Sequence, residues 1–504
     1  MIKGFISFTL MDTLWRQSLD TGLAGIGSQA TLLLPEWFLV GGILLLLLLS
    51  LFNIQRSVDL WTACILGLVG VATLTFWPAN PQHIFSGQYT VDSLGAWAKI
   101  LCLCGALGYI AFVRLKGRKA YHQRAELYIL LLGFQLGLHL LIGAQHFVLM
   151  LVALEMISLS SYLWVAFPRG NKHTSKASLT YVLFGLFSSA VTIYGLSWLY
   201  GLTGTLSLSD PSFLSGLQEA DPIIAWVAFA LFLTAFLFKL TAFPMHFWVA
   251  DVYKGISYPL AMLLSVTPKI GACFVFLRIL HQLEFWDYLY GLQYFLLGLA
   301  IISITWGNLG ALVQGEMKKL MAYSGISHAG YLLLALAWVS PIGEAALIFY
   351  LTLYLFMNYA TFTGLSFFVS DRDRIVDMAG QGMHHPVLGI ILGVNLVALA
   401  GLPPTAGFIA KWYVVTAAIE QLTADNQWWL LSLLALTVIN TAISLFYYLK
   451  PIVWLFFRPS VSRYVLRDRP VWGAFIIFLT LPVMFFGVSQ FDRLLNLFSN
   501  FLWN

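Results

Sequence analysis

Charged side chains are scarce in this sequence of 504 residues. Asp, Glu, Lys and Arg make up 10% of the chain and hydrophobic residues make up 60%, whereas a soluble domain has about 25% charged residues. This composition excludes a water-soluble globular protein. The solvent for most of the chain is therefore lipid, in which each helical crossing needs about 20 apolar residues.

The sequence also has few residues that could hold a redox group. Its four cysteines all lie in apolar runs without a CxxC pair, at Cys64, Cys102, Cys104 and Cys273. They are typical of small core residues and not of iron–sulfur or metal ligands. The sequence has no Gly-rich phosphate loop and no pair of histidines on two helices suited to haem. We therefore expect no cofactor in this chain.

Long apolar runs predict an all-α polytopic membrane protein of about fourteen transmembrane helices. The predicted segments are 33–53, 58–77, 93–114, 126–143, 145–167, 178–201, 223–248, 256–281, 286–313, 319–339, 343–370, 386–423, 428–457 and 471–490.

Lysine and arginine are concentrated in the loops that follow the odd-numbered segments. The loop at 202–222 on the other side has none, and the net charge of +5 is not gathered in a basic domain that would bind nucleic acid. The positive-inside rule then places the basic loops in the cytoplasm and both termini outside a bacterial inner membrane. We expect residues 1–30 to be a retained segment, such as a surface helix, and not a cleaved signal peptide.

Two of the segments contain prolines at matching positions. Pro244 lies in the seventh segment near Lys239, and Pro403 and Pro404 lie in the twelfth near Lys411. If segments 4–8 and 9–13 are two five-helix units, the prolines break the fourth helix of each unit, and the units are inverted repeats. Matched breaks of this kind indicate an ion or substrate site, although two ordinary proline kinks remain an alternative.

The two five-helix units and the segments on either side of them give four predicted parts. They are 1–125 (N-terminal segment and helices 1–3), 126–281 (helices 4–8), 282–457 (helices 9–13) and 458–504 (a cytoplasmic loop and helix 14).

Four ionisable residues fall far from any predicted membrane interface: Glu155, Lys239, Lys269 and Lys411. Each costs at least about 2.5–3.5 kcal/mol at that depth, so such residues face the bundle interior and mark ion pathways. Forming and breaking a Glu155–Lys239 pair would change the proton affinity of Lys239, which makes it a suitable gate. The four residues therefore predict a proton path.

Two histidines could relay protons beside these residues. His246 follows Lys239 by seven residues, on the same helical face, and His328 lies in the tenth segment. Histidine titrates nearest neutrality, but each could equally hydrogen-bond a backbone carbonyl. We expect Glu36 and Lys99, near helix ends, to reach toward the interface.

Four long motifs resemble the antiporter-like subunits of respiratory complex I, and most closely the subunit N family. They are KLTAFPMHFWVADVY at 239–253, the segment 265–278, GNLGALVQGEMKKLMAYSGISHAGY at 307–331 and GLPPTAGFIAKWY at 401–413. The resemblance extends over roughly residues 90–450. It implies fourteen helices with inverted five-helix repeats and broken seventh and twelfth helices.

The resemblance also implies site residues and partners. The family's essential glutamate and two lysines fall on Glu155, Lys239 and Lys269, and its twelfth-helix residue falls on Lys411, where an acid would have indicated subunit M. Subunits M and K are expected neighbours. NAD(H), flavin, iron–sulfur clusters and quinone are implied in partner subunits. One departure from the family pattern is the segment 254–258, which reads KGISY.

The resulting hypothesis is proton translocation driven by quinone reduction in other subunits. Glu155 gates, Lys239 accepts the proton from the cytoplasmic side, Lys269 relays it with histidine or water, and Lys411 delivers it outward. A subunit of a multisubunit sodium/proton antiporter is the first alternative. A structural membrane spacer with vestigial charges is the second.

Overall fold

The computed structural model describes residues 29–52, 57–78, 80–116, 125–167, 172–283, 289–338, 340–369, 373–425, 430–459 and 470–488. The expected N-terminal surface helix therefore lies outside the described residues. Within them the chain forms one β-hairpin, a short 3-10 helix at Ile375–Met378 and the following α-helices. The helices are α1 Leu34–Leu51, α2 Val58–Thr75, α3 Ser93–Lys116, α4 Ala125–Gly143, α5 Phe147–Ala166, α6 Lys172–Thr203, α7 Pro211–Glu219, α8 Pro222–Phe232, α9 Thr234–Leu240, α10 Val249–Gly255, α11 Tyr258–Gln282, α12 Leu289–Leu312, α13 Met317–Leu336, α14 Pro341–Phe368, α15 Gln381–His384, α16 Pro386–Ala400, α17 Ala406–Asp425, α18 Leu430–Phe457 and α19 Pro470–Val488.

The chain is a mostly helical membrane protein, as the sequence predicts, with one short β-hairpin in the described residues. Ten helices in the described ranges are long and apolar enough to cross a membrane, and α8 with α9, bent by 42°, adds an eleventh if the pair is one span. Helix α16 and residues 471–485 of α19 are shorter apolar helices. The total of fourteen crossings and the inverted repeat remain predictions.

Helix α11 forms the centre of the fold. Its spanning part is buried along its whole length, and α14 beside it is nearly as enclosed. Small residues on α11, such as Gly271 and Ala272, allow neighbouring helices to approach closely, as is usual in membrane bundles. Helices α1, α6 and α18 bury much less of their surface. The central helix can therefore carry Lys269 and Arg278 away from lipid.

The chain leaves the helical conformation at both proline sites. Helix α9 ends before Thr241 (φ 62°) and α16 ends before Gly401 (φ 81°). At each end the next amide bonds back to a carbonyl five residues earlier, from Ala242 to Leu237 at 3.0 Å and from Leu402 to Val397 at 3.3 Å. This is the Schellman closure of a helix C-terminus. Proline cannot extend a helix from there because it lacks the amide hydrogen.

The β-hairpin covers one end of the bundle. Strands β1 (Gln82–Ile84) and β2 (Tyr89–Val91) are antiparallel and lie between α2 and α3. The hairpin turn is held by the Gln145 amide, which donates to the carbonyl of Gln88 at 2.8 Å. The side chain of Tyr89 is buried against α4 as a result, with its hydroxyl 3.1 Å from the carbonyl of His139.

The segment 254–258 contacts the start of α13 and the loop that contains Asp373, at the end of the bundle opposite the β-hairpin. Lys254 pairs with Glu316 at 2.8 Å, and Lys318 donates to the carbonyl oxygen of Ile256 at 2.9 Å. The hydroxyl of Tyr258 donates to Asp373. These contacts attach the segment 254–258 to the start of α13 and to Asp373.

Candidate functional site

Lys239 lies in the last turn of α9 and is 4% exposed. Its Nζ has no hydrogen-bond partner among the described residues and faces the rings of Phe238, Tyr162 and Tyr181 at 5.4, 5.6 and 5.8 Å. Gly185 makes this arrangement possible, because a Cβ there would lie 1.5 Å from the Tyr162 hydroxyl. Aromatic faces stabilise an ammonium group without fixing its proton in a hydrogen bond.

Glu155 lies on α5 near Lys239 but not in contact with it. Its carboxylate accepts a hydrogen bond from Ser189 of α6 at 2.5 Å. The expected Glu155–Lys239 pair is open in this structure. Glu155 and Ser189 are both only half-buried, so this chain does not enclose the pair completely.

His246 does not share a helical face with Lys239, so that expectation is wrong. Helix α9 ends at Leu240, and Pro244 keeps the chain in turns until α10. The His246 ring lies beside Phe247 at 4.2 Å and Phe243 and Trp306 at 5.7 Å. Since Phe247 and Trp306 are exposed, His246 lies beneath the surface of the subunit.

Lys269 lies at the centre of α11 and is fully buried. Its Nζ donates to the carbonyl oxygen of Gly325 in α13 at 2.5 Å and lies 5.5 Å from the ring of Tyr354 in α14. Pro268 precedes it within the helix. The side chain thus reaches across the interface that joins the two predicted five-helix units.

His328 is held between two tyrosines. Its Nδ1 lies 2.7 Å from the Tyr350 hydroxyl and its Nε2 3.1 Å from the Tyr448 hydroxyl. Its ring also packs on Tyr354 at 4.8 Å. The alternative that His328 bonds a backbone carbonyl is therefore not what the structure shows, since both nitrogens meet hydroxyl groups that can donate or accept.

Lys411 lies on α17 and reaches back to the preceding helix. Its Nζ donates to the carbonyl oxygen of Ala400, the last residue of α16, at 2.8 Å. It also lies 4.8 Å from the ring of Tyr331. Gly401 permits the approach, because a Cβ there would lie 2.8 Å from the Lys411 Cδ. Nothing acidic pairs with Lys411 in the described part of the chain.

Tyrosines connect these groups, and sequence reasoning missed them. From Lys269 the contacts run through Tyr354 to His328, then to Tyr350, which stacks on Tyr331 at 6.2 Å. Tyr331 faces Lys411. Tyr331 closes one of the motifs, which is the signal that could have found it.

Glu36 and Lys99 do not reach toward the interface, so that expectation is also wrong. They form a salt bridge of 2.7 Å and are 5% and 4% exposed. The hairpin encloses them, because Tyr89 donates to the same Glu36 oxygen at 2.9 Å. Arg278, which the sequence left unassigned, makes two hydrogen bonds to Asp92 at 2.8 and 2.9 Å.

Metal ligands are not gathered in the part of the chain that the structure describes. No group of three His, Cys, Asp or Glu residues there is arranged to hold a metal ion. The arrangement is suited to moving protons between lysine, histidine and tyrosine groups.

Comparisons with known proteins place the chain in a family. The family described as NADH:quinone oxidoreductase/Mrp antiporter, TM, matches residues 144–443. NADH-quinone oxidoreductase subunit N of Anaeromyxobacter sp. (strain Fw109-5) is 33% identical over 464 residues, which are 87% of this chain and 89% of the relative.

Solved structures share the fold. A chain of respiratory complex I from Thermus thermophilus, with bound aureothin, is 31% identical with a TM-score of 0.76 and covers 90% of this chain and 97% of its own length. A chain of the Mrp complex from Dietzia sp. DQ12-45-1b has a TM-score of 0.78 over 94% of this chain and 97% of that chain, but only 20% identity. That second likeness shows the fold alone.

The family match spans more than half of the chain, and the curated relative is matched over most of its length. Identity of this extent indicates common descent and not only a common fold. The chain belongs to the subunit N family of NADH-quinone oxidoreductase.

Proposed function

We propose that this chain translocates protons as a membrane subunit of a respiratory NADH:quinone oxidoreductase. The path runs through Glu155, Lys239, Lys269 and Lys411, with His328 as the relay between the last two. The observation that carries the proposal is the series of contacts from Lys269 to Lys411 in the protein interior, in which His328 and Tyr350 are hydrogen-bonded and the other links are contacts with aromatic rings.

The chemistry of the lysine surroundings supports the proposal. Lys239, Lys269 and Lys411 each lie over an aromatic ring, and none is closer than 4 Å to a carboxylate in the described chain. A lysine locked to a carboxylate keeps its proton, whereas one held by a ring or a carbonyl can release it. The two tyrosine hydroxyls on His328 can pass a proton in either direction.

Glu155 is the gate in this proposal. It takes Ser189 as partner while its pair with Lys239 is open. Movement of Glu155 onto Lys239 would hold a proton on the lysine, and return to Ser189 would release it. Because Glu155 is half-exposed at membrane depth, a neighbouring membrane subunit must cover it, since lipid would not. Subunits M and K are the proposed neighbours.

The finer architecture belongs to the same proposal. We assign fourteen helices, with helices 4–8 (126–281) and 9–13 (282–457) as inverted repeats broken at Pro244 and at Pro403 and Pro404. The lysine- and arginine-rich loops face the cytoplasm and both termini face outward. Lys239 takes the proton from the cytoplasmic side and Lys411 delivers it outward. NAD(H), flavin, iron–sulfur clusters and quinone belong to partner subunits.

A sodium/proton antiporter subunit is the second candidate, favoured by the family match, whose description covers both NADH:quinone oxidoreductase and the Mrp antiporter. The two functions differ in their dependence on sodium. Pumping by the oxidoreductase continues when sodium is replaced by potassium, whereas antiport stops. Genes for quinone-site and iron–sulfur subunits beside this one would also exclude the antiporter.

The test is Lys411→Met in the assembled complex, with proton pumping and quinone reduction followed in the same vesicles. We expect fewer protons per electron, because methionine fills the space over Tyr331 without carrying a proton. The matched control is Lys450→Met, since Lys450 also donates to a carbonyl, that of Gln314 at 2.8 Å, but lies outside the tyrosine series. Equal pumping by the two variants would contradict the assigned role of Lys411.

A further inference from the structure

A second group of buried ionisable residues lies under the β-hairpin, apart from the proposed path. We call it the hairpin cluster: Glu36 of α1, Tyr89 of β2, Lys99 of α3 and His139 of α4. Lys99 Nζ and the Tyr89 hydroxyl lie 2.7 and 2.9 Å from Glu36 Oε1, and His139 Nδ1 lies 3.6 Å from the same oxygen. Each of the four is at most 5% exposed.

The hairpin cluster contains polar atoms that nothing in the described chain satisfies. Glu36 Oε2 and both ring nitrogens of His139 have no hydrogen-bond partner there. Buried polar groups are nearly always paired with protein or with ordered water. An imidazole with two unpaired nitrogens beside a carboxylate is therefore arranged to bind water and a proton, not to hold helices together.

A cleft reaches Lys99 of this cluster from the surface. It is lined by residues of α1, α2, β2 and α3, and its walls include the partly exposed Leu32, Phe76 and Asp92. Buried Lys99 lies at its inner end and Thr90 on its side. The cleft opens at the hairpin end of the subunit, opposite the loops that contain Lys254 and Lys318.

The surrounding charges leave His139 as the group that can gain a proton. Lys99 and Glu36 neutralise each other, and Asp92 is neutralised by Arg278 of α11. His83 of β1 is hydrogen-bonded to Thr90 at 3.0 Å. A proton arriving through the cleft adds one positive charge at His139, which the Glu36 carboxylate stabilises at 3.6 Å.

We propose that the hairpin cluster is a second proton-exchange site, which takes up and releases a proton at His139 through the cleft beside Lys99. Lys99 lines the cleft and His139 does not, so the proton passes between water in the cleft and the imidazole past Lys99 and Glu36. Glu36 stabilises the charged form, and Lys99 and Tyr89 orient Glu36. This proposal goes beyond the proposed path, because Glu36 of α1 and Lys99 of α3 belong to the N-terminal helices, which lie outside both five-helix units.

The test is infrared difference spectroscopy of the purified complex after a pH step, which reports protonation directly. The intact complex should show a histidine ring signal that His139→Gln removes. The control is Gln135→Leu, one turn earlier on α4. Gln135 is buried and donates to the Cys102 carbonyl at 2.7 Å, but its side chain cannot titrate. The Gln135→Leu variant should therefore keep the signal. Ala96→Phe, which fills the cleft, should slow the appearance of the signal.

An unchanged histidine signal in His139→Gln would overturn the proposal, and so would a signal that rises at the same rate with the cleft filled. The readout needs no turnover, so Lys239→Met should leave it intact. The experiment therefore distinguishes a failure of the proposed pumping path from a failure of this site.

Discussion

Lys411 Nζ and the carbonyl oxygen of Ala400 are 2.8 Å apart, so a side chain of α17 closes the C-terminus of α16. The last carbonyls of a helix have no partner within it and carry the negative end of its dipole. An ammonium group there is stabilised without a carboxylate. Loss of the Lys411 proton would weaken this closure, which links the charge of the lysine to the geometry of the proline turn beside it.

Gly401→Ala tests this closure. We expect the substitution to destabilise the subunit by about 1–3 kcal/mol, because alanine is strained at φ 81° and its Cβ would lie 2.8 Å from Lys411 Cδ. Displacement of Lys411 should also reduce pumping per electron. Thermal unfolding of the purified complex and vesicle pumping measure the two effects.

The control is Gly393→Ala on the same helix α16, where the nearest atom to an added Cβ is Ile452 Cδ1 at 3.9 Å. That variant should keep both stability and pumping. If Gly401→Ala behaves like Gly393→Ala, Lys411 does not depend on the turn.

His328→Gln tests the relay. Glutamine can bond one of the two tyrosine hydroxyls but cannot carry a proton at neutral pH. We expect pumping per electron to fall to the level of Lys411→Met while the complex assembles normally. Ser324→Ala is the comparison, because it removes only the hydroxyl that contacts Tyr448. Normal pumping in His328→Gln would show that the proton bypasses this histidine.

Lys254→Ala tests whether the unusual loop segment matters for stability. Burial raises the pKa of Glu316, but the hydrogen bond from Lys254 and the charges of Lys319 and Lys254 outweigh it, so the pKa lies below its usual value of 4.5. The pair therefore stabilises the fold above that pH and ceases to do so as the pH falls through the lower folded-state pKa.

The pair is partly exposed, so we expect a loss of about 0–1 kcal/mol at neutral pH that disappears in acid. Thermal unfolding of the complex at several pH values measures it. Pumping per electron should not change. A large loss of pumping in Lys254→Ala would instead make this segment part of the proton path.

The sequence predicted some features because they follow from local chemistry. Proline cannot donate a backbone hydrogen bond, so the helix ends near Pro244 and Pro403 could be read directly. Lysines in apolar runs are rare and costly, which singled out Lys239, Lys269 and Lys411.

Other features depend on tertiary packing. Helices surrounded by lipid and protein are apolar on every face, so their periodicity does not show which side faces the interior. The sequence therefore did not distinguish the tyrosines around His328 from the other tyrosines of the chain. The Glu36–Lys99 pair was missed because strands of three residues are too short to predict, and only the hairpin encloses that pair.

The most direct test of the account is Lys239→Met, with protons pumped and quinone reduced measured in the same vesicles. Methionine fits among Tyr162, Tyr181 and Phe238 but holds no proton, so the account predicts an assembled complex with fewer protons per electron. Lys176→Met is the control, because that lysine is exposed and, among the described residues, forms an ion pair with Asp251 alone, at 3.0 Å. Unchanged protons per electron in Lys239→Met would contradict the path and leave a structural role for the buried lysines.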